Sequence, residues 1–234
     1  MSARALILAA GRGERMRPLT DTCPKPLLPV HGRPMIEWHL QALARAGVRE
    51  VVINTAWLED RFPSALGDGS RWGLRLHYSM EGRDHGGALE TAGGIATALH
   101  RLAPHGDEAF WVVSGDIVAP GFAFDAALHA AFEGGGALGH LWLVPNPDFH
   151  PDGDFAMDAQ GLLARDGPRV WTYANLALLK PAIVAGIAPG TRAALGPRLF
   201  EAAAARRLTG QAWHGAWHNV GTPAQLQALQ SALP

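Results

Sequence analysis

A glycine-rich turn with several cations lies close to the amino terminus. The stretch "ALILAAGRGERMRPLT", residues 5–20, places Gly11 and Gly13 directly after an apolar run, together with three arginines, and Lys25 follows a proline. Glycine allows the backbone to pass close to a ligand and to direct N–H groups toward it. Several cations around such a turn suit a triphosphate, whose charge must be neutralised while one phosphorus atom is attacked. A solvated basic turn is the alternative interpretation of these residues alone.

This turn differs from two common nucleotide-binding motifs. A Walker A loop ends in GKT or GKS, which is missing, and a Rossmann GXGXXG loop needs glycine where Met16 stands. What remains is GXGXR, with Arg12, Arg15 and Arg17 close by. The residues therefore predict local phosphate binding by a turn of another kind.

Asp116 is a candidate metal ligand. It follows "FWVVSG" at the end of a very apolar strand, which would hold it at the carboxyl edge of a parallel sheet, where ligands bind. Mg²⁺ takes carboxylate oxygen together with substrate phosphates, and one or two protein ligands are enough. An aspartate that begins a turn is the alternative.

The segment "ETAGGI", residues 90–95, can open a helix. Thr91 is a candidate N-terminal cap, and Gly93 and Gly94 allow another group to approach the backbone closely. Helix capping alone would explain Thr91 but not both glycines.

Three other residue sets lack the spacing that their chemistry needs. The glycine between His214 and His218 argues against a helix that would bring both to one face, and zinc-site spacing to a third ligand is missing. Cys23 has no Cys/His signature around it, and Ser114 lacks a GXSXG elbow. We therefore expect neither a zinc site nor a protein nucleophile.

Short apolar runs bounded by turn residues predict strands that would position these groups. The runs are "ALILAA" (5–10), "EVVINT" (50–55), "LRLHYS" (74–79), "AFWVVSGD" (109–116), "GHLWLV" (139–144) and "WTYANLALLK" (171–180). Those in the first half alternate with helix-like segments, which implies parallel βαβ units. The prediction is a doubly wound, mostly parallel α/β sheet.

Helices are predicted at 34–47, 88–102, 197–207 and 223–233. The first has an apolar face, expected to pack on the core, formed by Met35, Ile36, His39, Leu40 and Leu43. The Pro-, Gly- and Asp-rich segment 144–167 predicts a long loop with a small hairpin, where substrate is usually met.

Composition restricts the class of protein. The chain has 234 residues, 48% of them hydrophobic, which suits one large α/β domain with a sizeable core. A formal net charge of -1 gives no basic field for nucleic acid. A single cysteine, Cys23, agrees with a reducing compartment, and no apolar run is long enough to span a bilayer. We expect a cytoplasmic protein with neither nucleic-acid nor membrane partners, as a monomer or weak homodimer.

A longer string identifies a family resemblance. "LAAGRGERMRPLTDTCPKPLLPV" resembles the signature of the sugar-1-phosphate nucleotidylyltransferases, LAAGXGXR followed after a short spacer by KP. Further stretches agree in order: "ETAGGI", "VVSGDI", "GDFAM", "WTYANLALL" and "WHNVGT". The resemblance covers Ala5 to Thr222 and implies a Rossmann-like fold in a single domain, residues 1–234. Residues 1–120 would mainly bind nucleotide, and 121–234 would form a sugar-binding lobe.

The resemblance also implies roles for individual residues. The backbone of Leu8, Ala9, Ala10 and Gly11 would face the base and the ribose. Gly13 and Arg15 would hold the β- and γ-phosphates. The loop with Glu90, Thr91 and Gly93 would contact the base and the sugar. Arg15, Lys25 and Asp116 would carry catalysis, with Lys25 at the α-phosphate and the incoming sugar phosphate. Asp154 and Asn175 are further sugar-side candidates, and Asp116 with Asn219 would hold Mg²⁺.

Two positions depart from the family pattern. Asn219 stands where relatives usually carry Asp, although a side-chain carbonyl oxygen is an acceptable ligand for a hard cation. Asn175 in "YANL" occupies a glycine position, and Asn is among the residues that best tolerate a left-handed backbone.

The pattern in so compact a chain is most similar to the branch acting on N-acetylmuramate 1-phosphate in peptidoglycan recycling. The implied reaction transfers a uridylyl group from UTP to that α-1-phosphate, giving the UDP-sugar and pyrophosphate. Arg192 and Arg198 are both possible cations for the lactyl carboxylate. The alternatives are another sugar-1-phosphate nucleotidylyltransferase, such as a mannose-1-phosphate guanylyltransferase, and a regulatory sugar-nucleotide-binding module without catalysis.

Overall fold

The computed structural model describes residues 3–232, and a seven-stranded sheet runs through this part of the chain. Its strands are β1 (Arg4–Leu8), β2 (Glu50–Thr55), β3 (Arg75–Met80), β4 (Phe110–Ser114), β5 (Gly139–Pro145), β6 (Trp171–Leu179) and β7 (Leu208–Ala212). Their order across the sheet is β7-β5-β6-β4-β1-β2-β3. Neighbouring strands are parallel except at β6, which is antiparallel to β4 and β5. The predicted mostly parallel α/β sheet is confirmed.

Helices cover both faces of the sheet. They are α1 (Ile36–Arg45), α2 (Arg61–Leu66), α3 (Glu81–His85), α4 (Glu90–Leu102), α5 (Ala126–Gly134), α6 (Leu195–Ala204) and α7 (Pro223–Ala232). Because successive strand residues point to opposite faces, Leu6 packs with Ile95 of α4 in one core layer, and Ile7 packs with Leu40 of α1 in the other. All four side chains are fully buried.

The predicted helices are present with shifted ends. The first begins at Ile36 and ends at Arg45, and its predicted apolar face is buried as expected. Leu233, the last residue of the predicted C-terminal helix, lies outside the described residues. The helices α2, α3 and α5 were not predicted, because each is short or poor in helical apolar periodicity.

Two features of the sheet differ from the alternating pattern. β6 runs antiparallel between two strands of the opposite direction, and β7, with the sequence "LTGQA", was not predicted as a strand. The predicted hairpin in 144–167 is confirmed by the pairing of Ala156–Met157 with Leu163–Ala164.

A small ribbon connects distant segments at the carboxyl edge of the sheet. Ile117–Val118, just after β4, pairs antiparallel with His218–Asn219, which follows β7. This pairing brings the end of the chain to the segments that follow β1 and β4. Within residues 3–232, none of the helices combines the length and apolarity needed to cross a membrane.

Candidate active site

The turn after β1 is held in shape by its own side chains. Gly13 has a left-handed backbone, φ 68° and ψ 41°, and its carbonyl accepts a hydrogen bond from Thr20 Oγ1 at 2.8 Å. A Cβ at Gly13 would lie 3.1 Å from Thr20 Cγ2, in a conformation that other residues rarely adopt. The Arg12 guanidinium stacks 3.8 Å above Trp57, whose Nε1 donates to the Thr20 carbonyl at 2.8 Å. The turn is therefore built before any ligand arrives.

Lys25 and Asp116 meet across this turn. Lys25 Nζ donates to Asp116 Oδ2 at 2.7 Å, and the two side chains are 12% and 31% exposed. Lys25 begins a short 3₁₀ helix, Lys25–Leu27, whereas Asp116 follows β4. The N–H of Gly115 donates to the Leu8 carbonyl at 2.8 Å, which fixes Asp116 beside the end of β1. The structure thus brings together two of the three predicted catalytic residues.

The other predicted metal ligand, Asn219, lies on the neighbouring ribbon, and Arg15 reaches that ribbon from the turn after β1. Asn219 stands opposite Ile117, and the N–H of Val220 donates to the Asp116 carbonyl at 2.9 Å. A Cβ at Gly221 would lie 3.4 Å from Arg15 Nη2, so the exposed Arg15 side chain reaches the same ribbon. Arg15, Asp116 and Asn219 therefore belong to one region.

The oxygen donors of Asp116 and Asn219 fit a divalent cation that is shared with phosphates. One carboxylate oxygen and one amide oxygen are hard ligands, and Mg²⁺ commonly uses only one or two protein ligands beside substrate phosphates. Among residues 3–232, no cluster of three or more His, Cys, Asp or Glu side chains could hold a metal by itself. The donor set suits an ion that arrives with the nucleotide.

Two cavities adjoin at this edge of the sheet. One of about 310 Å³ is lined by the turn after β1, Lys25 and Asp116, and the other, of about 370 Å³, by residues of the second half including Asp154 and Asn175. Both cavities are lined by Leu8, Glu90 and Thr91. One end of the cleft therefore carries Lys25 and Asp116, and the other carries Asp154 and Asn175, which suits a nucleotide and a second substrate side by side.

Comparison with known proteins decides the family. Residues 4–151 match the family model described as Nucleotidyl transferase. An N-acetylmuramate alpha-1-phosphate uridylyltransferase from Neisseria meningitidis is 45% identical over 235 residues, which cover 97% of each chain. The protein of the same name from Caulobacter vibrioides is 34% identical over 98% of this chain and 96% of its own. The chain belongs to the nucleotidyl transferase family.

A solved structure supports the fold of this nucleotidyl transferase. A crystal structure from Bacillus anthracis, assigned as a glucose-1-phosphate thymidylyltransferase, superposes with a TM-score of 0.81 over 98% of this chain and 94% of that chain. At 19% identity, this likeness concerns the fold alone. Nucleotidyl transferases of this family generally use a divalent metal ion.

The start of α4 differs from the expected capping. The helix begins at Glu90, which has φ 60°, so Thr91 lies inside the first turn and the prediction that it caps the helix is wrong. The N–H groups of Ala92 and Gly93 donate instead to the Ala193 carbonyl at 3.0 and 3.1 Å. Because a backbone carbonyl satisfies these donors, the helix does not need a side-chain cap.

Gly93 is buried against the protein's own backbone. A Cβ there would lie 2.2 Å from the Thr191 carbonyl oxygen and 3.2 Å from the Ala193 nitrogen. The close approach that its sequence position predicts is made by the segment 191–193. Contact of Gly93 with nucleotide stays a prediction.

The sugar-side candidates Asp154 and Asn175 line the larger of the two cavities. Asp154 Oδ2 accepts the N–H of Tyr173 at 2.8 Å, and Oδ1 lies 3.1 Å from His150 Nε2. Burial, and secondarily the Asp154 charge, raises the pKa of the Tyr173 hydroxyl. Asn175 has φ 59°, which confirms the left-handed backbone predicted for it, and it lies where the pairing of β6 with β5 shifts register. Asp154 thus shapes the cavity wall, and its contact with a sugar stays a prediction.

Sequence reasoning missed a buried polar link beneath the cleft. Asn54 Oδ1 accepts the N–H of Ala9 at 2.9 Å, and its Nδ2 donates to Glu81 Oε1 at 2.8 Å. The second carboxylate oxygen of Glu81 accepts the N–H of Leu89 at 2.8 Å. A polar residue near the carboxyl end of each of two apolar strands was the available signal.

A larger cavity of about 580 Å³ lies at the opposite edge of the sheet, near Arg4, Glu50 and Ala109. It contains none of the predicted site residues and mixes cations with carboxylates. Size does not select the candidate site, because ligands of open α/β sheets bind beyond the carboxyl ends of strands, where the two smaller cavities lie.

Proposed function

We propose that this nucleotidyl transferase moves a uridylyl group from UTP to N-acetylmuramate α-1-phosphate. The products are UDP-N-acetylmuramate and pyrophosphate. The observation that carries the proposal is the 45% identity, over 97% of both chains, to a protein with that activity in its name. Two adjoining cavities, one of them lined by Lys25 and Asp116, support the pairing of a triphosphate with a sugar phosphate.

Lys25 is placed to stabilise charge at the reacting phosphorus. A phosphate oxygen of the sugar attacks the α-phosphorus, and the bond to the bridging oxygen of the β-phosphate breaks. Negative charge accumulates on the α-phosphate oxygens as phosphorus becomes five-coordinate, and a largely buried ammonium stabilises it more strongly than an exposed one. Lys25 Nζ is fixed by Asp116 at 2.7 Å, so little reorganisation is needed during the reaction.

Arg15 and the ribbon residues would hold the departing pyrophosphate. The guanidinium of Arg15 lies beside Gly221, two residues beyond Asn219, and can form paired hydrogen bonds to phosphate oxygens. Asp116 and Asn219 would hold the divalent ion, for which we propose Mg²⁺. When bound, that ion supplies further neutralisation of the phosphates.

The second cavity would receive the sugar. Its lining includes Asp154, Asn175, Glu90 and Thr91. Arg192 Nε binds Glu90 Oε1 at 2.8 Å, so a cation stands beside the cavity wall and is available to the lactyl carboxylate of muramate. This arrangement supports residues 1–120 as mainly nucleotide-binding and 121–234 as mainly sugar-binding. A nucleoside triphosphate substrate and a single cysteine support a cytoplasmic location.

The test is pyrophosphate release with Mg²⁺ and a matrix of substrates. UTP, GTP, dTTP and CTP are each paired with the 1-phosphates of N-acetylmuramate, N-acetylglucosamine, glucose and mannose. Turnover confined to UTP with N-acetylmuramate 1-phosphate is the expected result. Release only with GTP and mannose 1-phosphate would replace the proposed substrates, and tight nucleotide binding in calorimetry without turnover would identify a binding module.

A further inference from the structure

Glu81 carries a fully buried carboxylate that joins two segments of the nucleotide cleft. It begins α3, directly after β3, and binds Asn54 through one oxygen and the N–H of Leu89 through the other. Asn54 in turn accepts the N–H of Ala9 through its side-chain oxygen at 2.9 Å and, less closely, through its backbone carbonyl at 3.2 Å. The hydrogen bonds therefore run from the turn after β1 to the residue that precedes Glu90.

The groups in this chain of hydrogen bonds can be arranged as donors and acceptors in only one way. Both of its ends, Ala9 and Leu89, are backbone N–H donors. Asn54 supplies one acceptor and one donor, so residue 81 must accept twice. An ionised carboxylate accepts twice, whereas a glutamine leaves two donors facing each other however the amides are turned. The link is therefore strongest with Glu81 charged.

Helix α4 packs directly on this link. A Cβ at Gly94 would lie 2.7 Å from both Asn54 Nδ2 and Glu81 Oε1, so only glycine leaves room there. The same helix begins with Glu90 and Thr91, which line both cavities. A shift at Glu81 therefore changes the position of the cleft wall.

Two other titratable groups face Glu81. His85 favours its charge and Glu59, whose Oε2 accepts the N–H of Gly82 at 3.1 Å, opposes it. Burial is the dominant effect and raises the pKa of Glu81, against the hydrogen bonds from Leu89 and Asn54. As pH falls through that raised pKa, one of the two accepting oxygens would become a hydroxyl, which is a weaker acceptor than a carboxylate oxygen.

We propose that Glu81 is a positioning residue that, through Asn54 and the N–H of Leu89, fixes the turn after β1 at the nucleotide-binding distance from the start of α4. The proposal rests on nucleoside triphosphate binding in the cleft, as the proposed function requires. Loss of the link moves Ala9 relative to Glu90 while the charged residues Lys25 and Asp116 keep their ion pair. Nucleotide binding weakens, and the chemical step is less affected.

The test exchanges the carboxylate at position 81 and the amide at position 54 in the full-length protein. Glu81→Gln is expected to raise KM for the nucleoside triphosphate about tenfold, because it leaves one buried donor unsatisfied. Adding Asn54→Asp to Glu81→Gln restores the pattern. The new carboxylate at position 54 accepts from Ala9 and from the new amide at position 81, whose oxygen accepts from Leu89. The double variant is therefore expected to regain wild-type KM.

Glu59→Gln is the matched control, because it removes a neighbouring charge outside the link and should leave KM unchanged.

An unchanged KM in Glu81→Gln, or a double variant no better than the single one, would overturn the proposal. If Glu81→Gln fails to fold, the double variant decides alone: wild-type KM supports the link, and a folded double variant with raised KM contradicts it. Should wild-type protein show no turnover with any substrate pair, the proposed function fails. The dissociation constant of the triphosphate from calorimetry then replaces KM in the same comparison.

Discussion

At the scale of single residues, the ion pair between Lys25 and Asp116 is the main charged feature of the nucleotide cavity. Replacing Lys25 with Met keeps the apolar stem and removes the charge. We expect kcat to fall roughly 10²- to 10³-fold, as for loss of one preorganised donor to a developing charge, with a smaller change in KM. The melting temperature should stay close to wild type, because the partly exposed Asp116 left behind can be hydrated. Steady-state kinetics and thermal denaturation measure both effects.

Arg17→Met is the control for that variant. Arg17 lies in the same turn, is exposed and pairs with Asp21 at 2.7 Å. Because exposed ion pairs contribute little, its loss should change kcat by no more than about twofold. Equal losses in the two variants would show that general charge around the turn matters, rather than the fixed ammonium of Lys25.

The two arginines proposed from the sequence for a lactyl carboxylate have different surroundings. Arg192 binds Glu90, which lines both cavities, whereas Arg198 binds Glu201 at 3.2 Å and the Ala185 carbonyl. We expect Arg192→Met to raise KM for N-acetylmuramate 1-phosphate about tenfold, through loss of a charge-assisted hydrogen bond. Inhibition by N-acetylglucosamine 1-phosphate, which lacks the carboxylate, should be unchanged.

Arg198→Met is the matched comparison for that experiment. It removes the same charge from a guanidinium whose partners, Glu201 and the Ala185 carbonyl, line neither cavity, and KM should remain at the wild-type value. A larger effect from Arg198 than from Arg192 would mean that the carboxylate binds elsewhere. Steady-state kinetics with both sugar phosphates separates these outcomes.

At the scale of elements, the contact of α4 with the segment 191–193 explains why Gly93 is glycine. A Cβ would collide with backbone atoms, which cannot turn away as a side chain can. We expect Gly93→Ala to destabilise the protein by about 1–3 kcal/mol, as overpacking does, and to lower its melting temperature by several degrees. Preference among nucleoside triphosphates should not change.

At Gly87 a Cβ would meet nothing within 4 Å, so Gly87→Ala is the control and should keep the wild-type melting temperature. An unaltered melting temperature with altered base preference would instead favour a nucleotide role for Gly93.

The sequence predicts those helices and strands whose apolar residues recur at regular spacing. It does not predict the elements whose formation depends on contacts with distant parts of the chain. Strands such as β4 are short, continuous apolar runs bounded by turn residues, a pattern that favours a buried strand over a longer helix. β7 contains Gly210 and Gln211 and lies at the sheet edge, so its composition carries little strand signal. The antiparallel direction of β6 depends on the long connection before it, and strand composition does not encode direction.

The same limit applies to the site. The positions of the turn after β1 and of Asp116 at the carboxyl edge of the sheet were predictable because both directly follow apolar strands. The buried contact of Glu81 was not, because it is made with Asn54, 27 residues earlier in the chain. A buried link is visible only after the strands have been placed side by side.

At the scale of the whole molecule, the site lies where the strand order reverses. From β1 the chain adds β2 and β3 on one side and β4 on the other, so the segments after β1 and β4 diverge above the sheet. Leu8 and Ser114 are register partners at this point, and Gly115 bonds back to Leu8. Open α/β sheets form their ligand crevice at such a reversal. The position of the ion pair is therefore a consequence of topology as well as of residue type.

The pH dependence of global stability is coupled to this same region through His39. It lies in α1, is 4% exposed, and its Nε2 donates to the Ile117 carbonyl at 2.7 Å, one residue after Asp116. Burial lowers the pKa of His39 to about 4. An unfolded histidine titrates near ~6.5, so the unfolded state binds the proton more tightly. The stabilisation from neutral His39 is therefore complete above that value and is lost as pH falls toward about 4.

His39→Gln should remove this part of the pH dependence, because glutamine can donate to the same carbonyl but does not titrate. Between pH ~7.5 and ~5, we expect wild-type protein to lose about 2 kcal/mol more unfolding free energy than the variant. Burial also lowers the pKa of His140 and His218, so both proteins lose some stability and only their difference reports His39. Urea unfolding at the two pH values measures it, with His100→Gln as an exposed control that keeps the wild-type slope. If His39→Gln and wild type lost equal stability, the pKa of His39 would be the same in the folded and unfolded protein, and burial in α1 would not keep its ring neutral.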